Sequence, residues 1–381
     1  MDIYTNGSHE KLRQKVREFA ENEVKPLARE LDEKEQFSVK LSKRMGELGL
    51  FGLTIDPKYG GLGLDYLSFI IAIEELARID SSQAAILASH NSLGIGPIYN
   101  YGTEQQKLKY LPNLCTGDAL WAFGLTELTA GSDSRGTKSK AVADGDEWVI
   151  NGSKMFISNA STEISAGVTI QVITDEEDGK KELSTIIVDR NTPGYRAEKI
   201  RGKMMWRAID TARLYFDNVR VPKDNLLGGK GNGSKIMLET LDSGRLTIAA
   251  MGLGLARGAF ELACKYAQTR EQFGKKISKF QAIAFKLADM ATKIELAKNT
   301  LYHACWLKDN GHPFAKEAAM SKLYCSEIAR EVADEALQVH GAYGLMREYD
   351  IERFYRDQRL LQIGEGTSEI LRIVISRHIG L

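Results

Sequence analysis

The first third of the chain carries apolar residues at helical spacing, from about residue 9 to residue 98. Four turn-forming residues between Pro57 and Gly63 interrupt this pattern and predict a loop. A new helix is expected to begin near Asp65. We therefore predict a helical N-terminal domain over residues 1–118. The apolar rows are Leu12, Val16, Phe19 and Ala20, followed by Leu41, Met45, Leu48 and Leu50.

In the middle third, residues 119–228, the helical spacing gives way to an alternation of apolar and polar residues. Thr137–Ala143 and Glu147–Ile150 alternate on either side of the turn Asp144-Gly145-Asp146, which predicts a β-hairpin. No helical crossover separates the strands, so a small antiparallel β domain, a sandwich or a barrel, is favoured over a doubly wound sheet. Further strands are predicted at 167–174, 183–189 and 213–221.

A glycine-rich hinge, Gly228–Gly233, separates the β region from a second helical region. Helical periodicity then continues to the end of the chain, which predicts a C-terminal helical bundle over residues 229–381. The fold class is multi-domain α+β, with helices on either side of the β domain. The predicted long helices are 236–266, 279–309, 313–340 and 367–378.

Charge and composition narrow the possible functions. The 51 basic and 51 acidic side chains balance, and no basic stripe interrupts them, which argues against nucleic-acid binding. Neither a secretory signal nor a membrane-spanning helix is apparent, so we expect a cytoplasmic protein without membrane insertion. The four cysteines and six histidines show no paired spacing, and no metal site is predicted.

Two segments of the β region could bind a ligand. Phe123–Asp133 follows a strand with hydroxyls and glycines, whose groups can hydrogen-bond a planar heterocycle or a phosphate. A polar loop capped by Gly131 explains the same segment equally well. Asn151–Asn159 places the aromatic Phe156 two residues before the hydroxyl of Ser158, which is a weaker signal.

A third candidate is Glu365, which stands between Gly364 and Gly366 before a helix that Thr367 or Ser368 could cap. Flanking glycines allow the backbone to approach a ligand closely and to direct the carboxylate into a cleft. Alternatively, Glu365 only complements the positive end of the following helix. From this segment alone the second explanation is favoured.

The motifs taken together resemble the acyl-CoA dehydrogenase family in order and spacing. The resemblance covers nearly the whole chain, and it favours a catalytic role for Glu365. It implies the fold deduced above with a C-terminal four-helix bundle, a homotetramer and one FAD per subunit. The motifs are Leu125-Thr126-Glu127 with Ala130–Asp133, Asn151–Lys154, Trp206-Arg207, Val219–Pro222, Thr269–Gly274 and Glu365-Gly366-Thr367.

The resemblance also implies a flavin site shared between subunits. Arg270 would pair with the FAD pyrophosphate of a neighbour, although an exposed arginine at a helix end is the commoner use. The Leu337–Gly344 segment would also reach that FAD, and Ala342 departs from the glycine that many members carry there. The implied cofactor residues are Leu125, Thr126, Ser132, Phe156, Ser158, Arg270, Phe273, Gln281, Gln338, Gly341, Thr367 and Glu369.

Thioester recognition is likewise implied by the resemblance. Asp242 and Arg245 would serve it, and an ordinary helix ion pair at this spacing is the competing explanation. Asn91 lies in a segment that lines the acyl pocket in the family and would indicate a short, cyclic or functionalised acyl group. Packing or helix-end hydrogen bonding explains Asn91 about as well. The implied substrate residues are Ser132, Asp242, Arg245, Gly366 and Asn91.

The resemblance implies that a carboxylate removes the α-proton of an acyl-CoA while the β-hydrogen leaves as hydride. Members place this base in one of two positions, which here hold Glu365 and Gly244. Glycine cannot accept the proton, so Glu365 is the predicted base. Electrons would pass to an electron-transfer flavoprotein. The alternatives are an acyl-CoA oxidase, which is usually longer, and a non-catalytic acyl-CoA-binding or assembly protein.

Overall fold

The computed structural model describes residues 3–381. Its N-terminal part is helical, as predicted. Side chains cap several of these helices: Asp65 accepts a hydrogen bond from the backbone of Ser68, so the helix predicted near Asp65 begins at the next residue. The helices are α1 (Gly7–Phe19), α2 (Lys25–Lys34), α3 (Val39–Glu47), α4 (Tyr66–Ala77), α5 (Ser81–Ala88), α6 (Gly96–Tyr101) and α7 (Glu104–Leu114), with π-helical turns at Ala20–Val24 and Ser89–Ile95.

The middle of the chain forms one eight-stranded sheet and contains the predicted hairpin. The strand order is β6-β7-β3-β2-β4-β5-β8, and β1 pairs with β4 outside this path. Apolar side chains on one face form a separate core. The strands are β1 (Leu120–Gly124), β2 (Lys140–Asp144), β3 (Glu147–Ser158), β4 (Ser165–Glu177), β5 (Lys180–Asp189), β6 (Tyr195–Lys199), β7 (Thr211–Pro222) and β8 (Leu226–Leu227).

The expectation of a purely antiparallel domain needs correction. β1 pairs with β4 in parallel over five residues, and β2 meets β4 in parallel at Lys140 and Ile173. The β2–β3 hairpin lies between β1 and β4 in sequence, and it provides the long connection that a parallel pair requires. The sheet is therefore mixed, although no helix crosses over it.

The C-terminal third is a helical bundle built around one long helix. This helix, α8, is apolar and long enough to span a membrane by length and composition, which the sequence analysis did not recognise. However, 78% of its most apolar window is buried inside the protein, so its hydrophobicity serves the core. The helices are α8 (Gly233–Thr269), α9 (Gln281–Asp309), α10 (Ala315–His340), α11 (Ile351–Asp357) and α12 (Ser368–His378), with a short hairpin of β9 (Glu271–Gln272) and β10 (Lys275–Lys276).

Candidate active site

Glu365 lies in the turn that precedes α12, with its backbone in the left-handed region at φ 55°. A non-glycine residue in this conformation carries strain and is held there by its surroundings. Its Oε2 atom is buried and has no hydrogen-bond partner among residues 3–381. Burial raises the pKa of this carboxyl to about 7, although Lys322 and Arg245 act in the opposite direction. A carboxylate with a buried oxygen that no donor satisfies is suited to accept a proton.

The two family positions for the base meet at one point in this structure. A Cβ added to Gly244 would lie 2.0 Å from Oε2 of Glu365 and 3.3 Å from Cδ2 of Leu93. The missing side chain of α8 thus provides the space that the carboxylate occupies. Leu93 belongs to the π-helical turn after α5, so the N-terminal region closes one side of this space.

Asp242 and Arg245 form an ion pair on α8, as the i, i+3 alternative proposed. Arg245 is only 5% exposed, and its Nε has no hydrogen-bond partner among the described residues. Burial raises the pKa of Asp242, and Arg245 opposes that shift. The pair lies next to Gly244, so it is both a helix ion pair and a neighbour of the Glu365 carboxylate.

Lys322 is a residue of this site that sequence reasoning missed. Its side chain is fully buried on α10, and its Nζ donates to the carbonyl oxygen of Gly366 at 2.7 Å. A signal was available in the sequence, since Lys322 occupies a position on the apolar row of Ala318, Cys325 and Ala329. A lysine on the core-facing stripe of a helix is unusual enough to indicate a buried charge.

The flavin residues expected in the middle domain lie where strands β1 and β3 end, a place that we call the flavin edge. The loop after β1 is joined to β3 by a hydrogen bond from the Met155 N–H to the Thr126 carbonyl, 2.9 Å long. Phe156 follows with φ 60° and a side chain that is 64% exposed. Leu125 and Ser158 are half-buried beside it, and Ser132 is exposed in the loop beyond.

A buried ion pair joins the loop after β1 to β3 at this edge. Nζ of Lys154 lies 2.8 Å from Oε1 of Glu127, and both side chains are almost fully buried. The backbone N–H groups of Lys138 and Ser139 also donate to Glu127, at 2.8 and 3.1 Å. Burial raises the pKa of Glu127, but Lys154 and these donors outweigh it and the net pKa is lowered. Glu127 is therefore held as an ionised structural carboxylate.

The residues present at this edge fit a flavin. Phe156 has an exposed aromatic side chain and a backbone in the left-handed region, and it is flanked by the hydroxyl-bearing residues Thr126 and Ser158. Together they offer apolar contact and hydrogen bonds to a planar heterocycle. Asn159, next in the chain, donates to Oγ of Ser89 at 2.9 Å. Since Ser89 begins the π-helical turn that contains Leu93, this turn connects the flavin edge to the Glu365 carboxylate.

The remaining expected cofactor residues form a second group. The guanidinium of Arg270 lies 5.4 Å from the ring centroid of Tyr343, close to the C-terminal end of α10. Gln338 is sixteen residues beyond Lys322 on α10, which corresponds to roughly 24 Å along the helix. The group thus lies far from the Glu365 carboxylate. Phe273, Gln281, Gln338 and Gly341 are all exposed, Phe273 by 92%.

Three further expected residues lie in or next to the turn that carries Glu365. The Thr367 hydroxyl accepts a hydrogen bond from the backbone of Ile370 and caps α12. Glu369 is exposed in the first turn of that helix. Gly366, with φ 103°, provides the carbonyl that Lys322 binds.

Asn91 is placed differently from the expected substrate residue. Its Nδ2 donates to the Leu50 carbonyl at 2.8 Å, and its Oδ1 accepts from the Gly52 N–H at 3.0 Å. Both polar ends of the amide are therefore bound to a buried loop of the N-terminal region. These contacts support the packing explanation, and Asn91 gives no evidence for a functionalised acyl group.

Comparison with protein families gives matches along nearly the whole chain. The acyl-CoA dehydrogenase N-terminal, middle and C-terminal domain families match residues 6–118, 122–219 and 231–380.

Curated relatives match from end to end. A probable acyl-CoA dehydrogenase, YngJ, of Bacillus subtilis is 45% identical over 379 residues, which cover 100% of both chains. A short-chain specific acyl-CoA dehydrogenase of Clostridium acetobutylicum is 43% identical, with 99% of each chain covered.

Solved structures agree with these matches. A chain from a structure described as an electron transferring flavoprotein of Acidaminococcus fermentans, from work on flavin-based electron bifurcation, has a TM-score of 0.97 at 43% identity, with both chains fully covered. Butyryl-CoA dehydrogenase of Megasphaera elsdenii has a TM-score of 0.96 at 38% identity, also with full coverage. A glutaryl-CoA dehydrogenase of Mycobacterium smegmatis, solved with FADH2, has a TM-score of 0.94 at 30% identity and covers 99% of this chain and 95% of its own.

Proposed function

The chain belongs to the acyl-CoA dehydrogenase family, and from this premise we propose that it oxidises a short-chain acyl-CoA to the trans-enoyl-CoA and passes the electrons to an electron-transfer flavoprotein. Family membership makes the protein an oxidoreductase whose cofactor is FAD. The observation that carries the proposal is the buried Oε2 atom of the Glu365 carboxylate, which has no hydrogen-bond partner among residues 3–381.

In the proposed reaction Glu365 removes the α-proton and keeps it on its carboxyl group. An α-C–H is a very weak acid, so the base must be strong and the developing charge must be stabilised. Burial supplies the first requirement by raising the pKa of Glu365 to about 7. For the second, the Glu365 backbone N–H makes no hydrogen bond within residues 3–381 and is free to bind the thioester carbonyl.

Bound FAD would supply the hydride acceptor that removal of the β-hydrogen requires. Leu125, Thr126, Phe156 and Ser158 would hold its ring at the sheet edge. Arg270, Phe273, Gln281, Gln338 and Gly341 would contact the FAD of a neighbouring subunit in a homotetramer. Their distance from Glu365 and the exposure of Phe273 support this assignment.

The preference for a short acyl group is supported by two relatives, one named a short-chain specific acyl-CoA dehydrogenase and the other a butyryl-CoA dehydrogenase. It is tested by mixing the oxidised protein with straight-chain acyl-CoA thioesters from butyryl to palmitoyl and following the loss of flavin absorbance. We expect the fastest bleaching with the shortest members. A rate that rises steadily toward palmitoyl-CoA would contradict the short-chain assignment.

Two further measurements on the same protein, flavin reoxidation and flavin content, distinguish the two rival functions. Rapid reoxidation of the reduced flavin by air, with no added acceptor, would identify an oxidase. A purified protein that binds no flavin even when FAD is supplied would favour a non-catalytic acyl-CoA-binding role. For the dehydrogenase we expect slow reoxidation in air and fast reoxidation when an electron-transfer flavoprotein is added.

A further inference from the structure

We propose that Lys322 is the positioning residue of Glu365: its ammonium group holds the Gly366 carbonyl and thereby fixes the backbone from which the carboxylate reaches the substrate. This inference rests on the proposed function and adds to it a residue on a separate helix. The observations behind it are the contacts of α10 with the turn that contains Glu365.

Three side chains of α10 bind the segment on both sides of Glu365. Oγ of Ser326 donates to the Leu361 carbonyl at 2.9 Å, and Nζ of Lys322 donates to the Gly366 carbonyl at 2.7 Å. Glu327 accepts hydrogen bonds from the side chains of Gln362 and Ser368, at 2.6 and 2.8 Å. The segment from 361 to 368 is thus fastened before and after the residue that carries the strain.

Lys322 binds the residue that immediately follows the strained position. Glu365 and Gly366 both have positive φ, 55° and 103°. For a glutamate this conformation costs free energy and is kept only where neighbouring contacts determine it. Without the ammonium, the peptide plane of Gly366 loses its contact with α10, and Glu365 can relax toward an ordinary backbone conformation. The carboxylate would then leave the space beside Gly244.

The environment of Lys322 differs from that of Lys154 and Lys203. The buried Lys154 has a carboxylate partner, and the half-buried Lys203 donates to three oxygen atoms. Within residues 3–381, Lys322 has one hydrogen bond, to a carbonyl, and no ion pair within 4 Å. A buried ammonium with so little compensation is costly, and a methionine would fill the same volume at lower cost. We therefore expect the positive charge of Lys322 to have a function.

The function of this charge is electrostatic as well as structural. Lys322 lowers the pKa of Glu365 against the larger effect of burial, and burial lowers its own pKa to about 8, so it carries a charge at pH 7. Loss of the charge must raise the pKa of Glu365 further, because a nearby cation favours the carboxylate. The other charged or titratable groups that face this pair are Arg245 and its partner Asp242 on α8, Tyr66 on α4, Glu327 on α10 and Glu369 on α12.

The test compares Lys322→Met, which removes the hydrogen bond and the charge, with Lys322→Gln, which keeps an N–H donor. Lys203→Met is the matched control, since Lys203 is half-buried and burial likewise lowers its pKa to about 8, but it lies in the middle domain. Protonation of Glu365 is followed by the infrared band of its protonated carboxyl group, identified by its loss in Glu365→Gln. This readout needs no turnover, so it remains valid if the proposed substrate is wrong.

For Lys322→Met we expect the midpoint of Glu365 protonation to rise by about one pH unit. Flavin reduction should slow by about tenfold or more even at a pH where Glu365 is ionised, with KM little changed. Lys322→Gln should show the same rise in the midpoint with a rate nearer the parent at high pH. Lys203→Met should leave the midpoint unchanged.

The proposal is overturned if folded Lys322→Met protein has the parent midpoint and the parent rate. It is also overturned if Lys203→Met produces the same changes, because the effect would then be general loosening. If Lys322→Met does not fold, Lys322→Gln decides through its midpoint alone. A parent protein whose flavin no acyl-CoA reduces would refute the proposed function, whereas the infrared result would still decide whether Lys322 controls Glu365.

Discussion

Two glutamates with buried carboxylate oxygens, Glu127 at the flavin edge and Glu365 in the turn before α12, have opposite environments. Glu127 receives three hydrogen bonds, two from backbone N–H groups and one from Lys154, and its pKa is lowered. The Oε2 atom of Glu365 receives none from residues 3–381, and burial raises the pKa of that carboxyl to about 7. Each has a buried lysine nearby, but only Lys154 binds its carboxylate directly.

The difference shows how one side-chain type serves two purposes. Donors aimed at a carboxylate stabilise its charge and remove its tendency to take up a proton. Burial without donors has the reverse effect and leaves a base whose lone pairs are available to a substrate. Hydrogen bonding, more than burial, therefore separates a structural glutamate from a candidate catalytic one in this protein.

The largest effect is expected from Glu365→Gln, which keeps the shape of the side chain and removes its basicity. Flavin reduction by acyl-CoA should fall by about 10²–10⁴-fold or more, while FAD and substrate still bind. Stopped-flow absorbance measures the rate, and Glu177→Gln, at an exposed hairpin position, is the control. Bleaching at close to the parent rate would remove Glu365 from the mechanism.

A smaller effect, on stability, is expected from Lys154→Met. It leaves the buried Glu127 carboxylate without its cation, a change that costs about 3–5 kcal/mol for buried pairs. Urea unfolding should show this loss together with weaker FAD retention, and the exposed Lys138→Met should show neither. If unfolding were unaffected, Glu127 would not be the structural counterpart of Glu365.

The smallest effect is expected from Gly244→Ala, which adds a Cβ 2.0 Å from Oε2 of Glu365. The carboxylate is at the end of a flexible side chain, so it can move away with little loss of stability. We expect thermal stability near that of the parent and flavin reduction slower by about tenfold, since misplaced groups lose much of their effect. Gly96→Ala is the control, because its added Cβ would be at an ordinary 3.6 Å from the Asn91 carbonyl. An unchanged rate in Gly244→Ala would mean that Glu365 does not need this space.

Local patterns in the sequence predicted most of the secondary structure. The hairpin around Gly145 and the helix after Asp65 are found where periodicity and capping placed them, because turn and capping preferences act over a few residues. β6 and α11 escaped prediction, since both are short and none of the β6 residues is buried. Hydropathy alone could not show that α8 is a core helix.

The sequence by itself determined the family, the order of helical and β regions, and Glu365 as the predicted base, since Gly244 has no side chain to accept a proton. Three features emerged only in the tertiary structure. They are the parallel pairings of β4, the hydrogen bonds between Asn91 and the loop at 50–52, and the hydrogen bond from Lys322 to Gly366. These contacts join residues 33 to 46 positions apart, whereas periodicity and capping report neighbours within one or two turns. Which buried polar atoms find partners is decided when separate elements pack together.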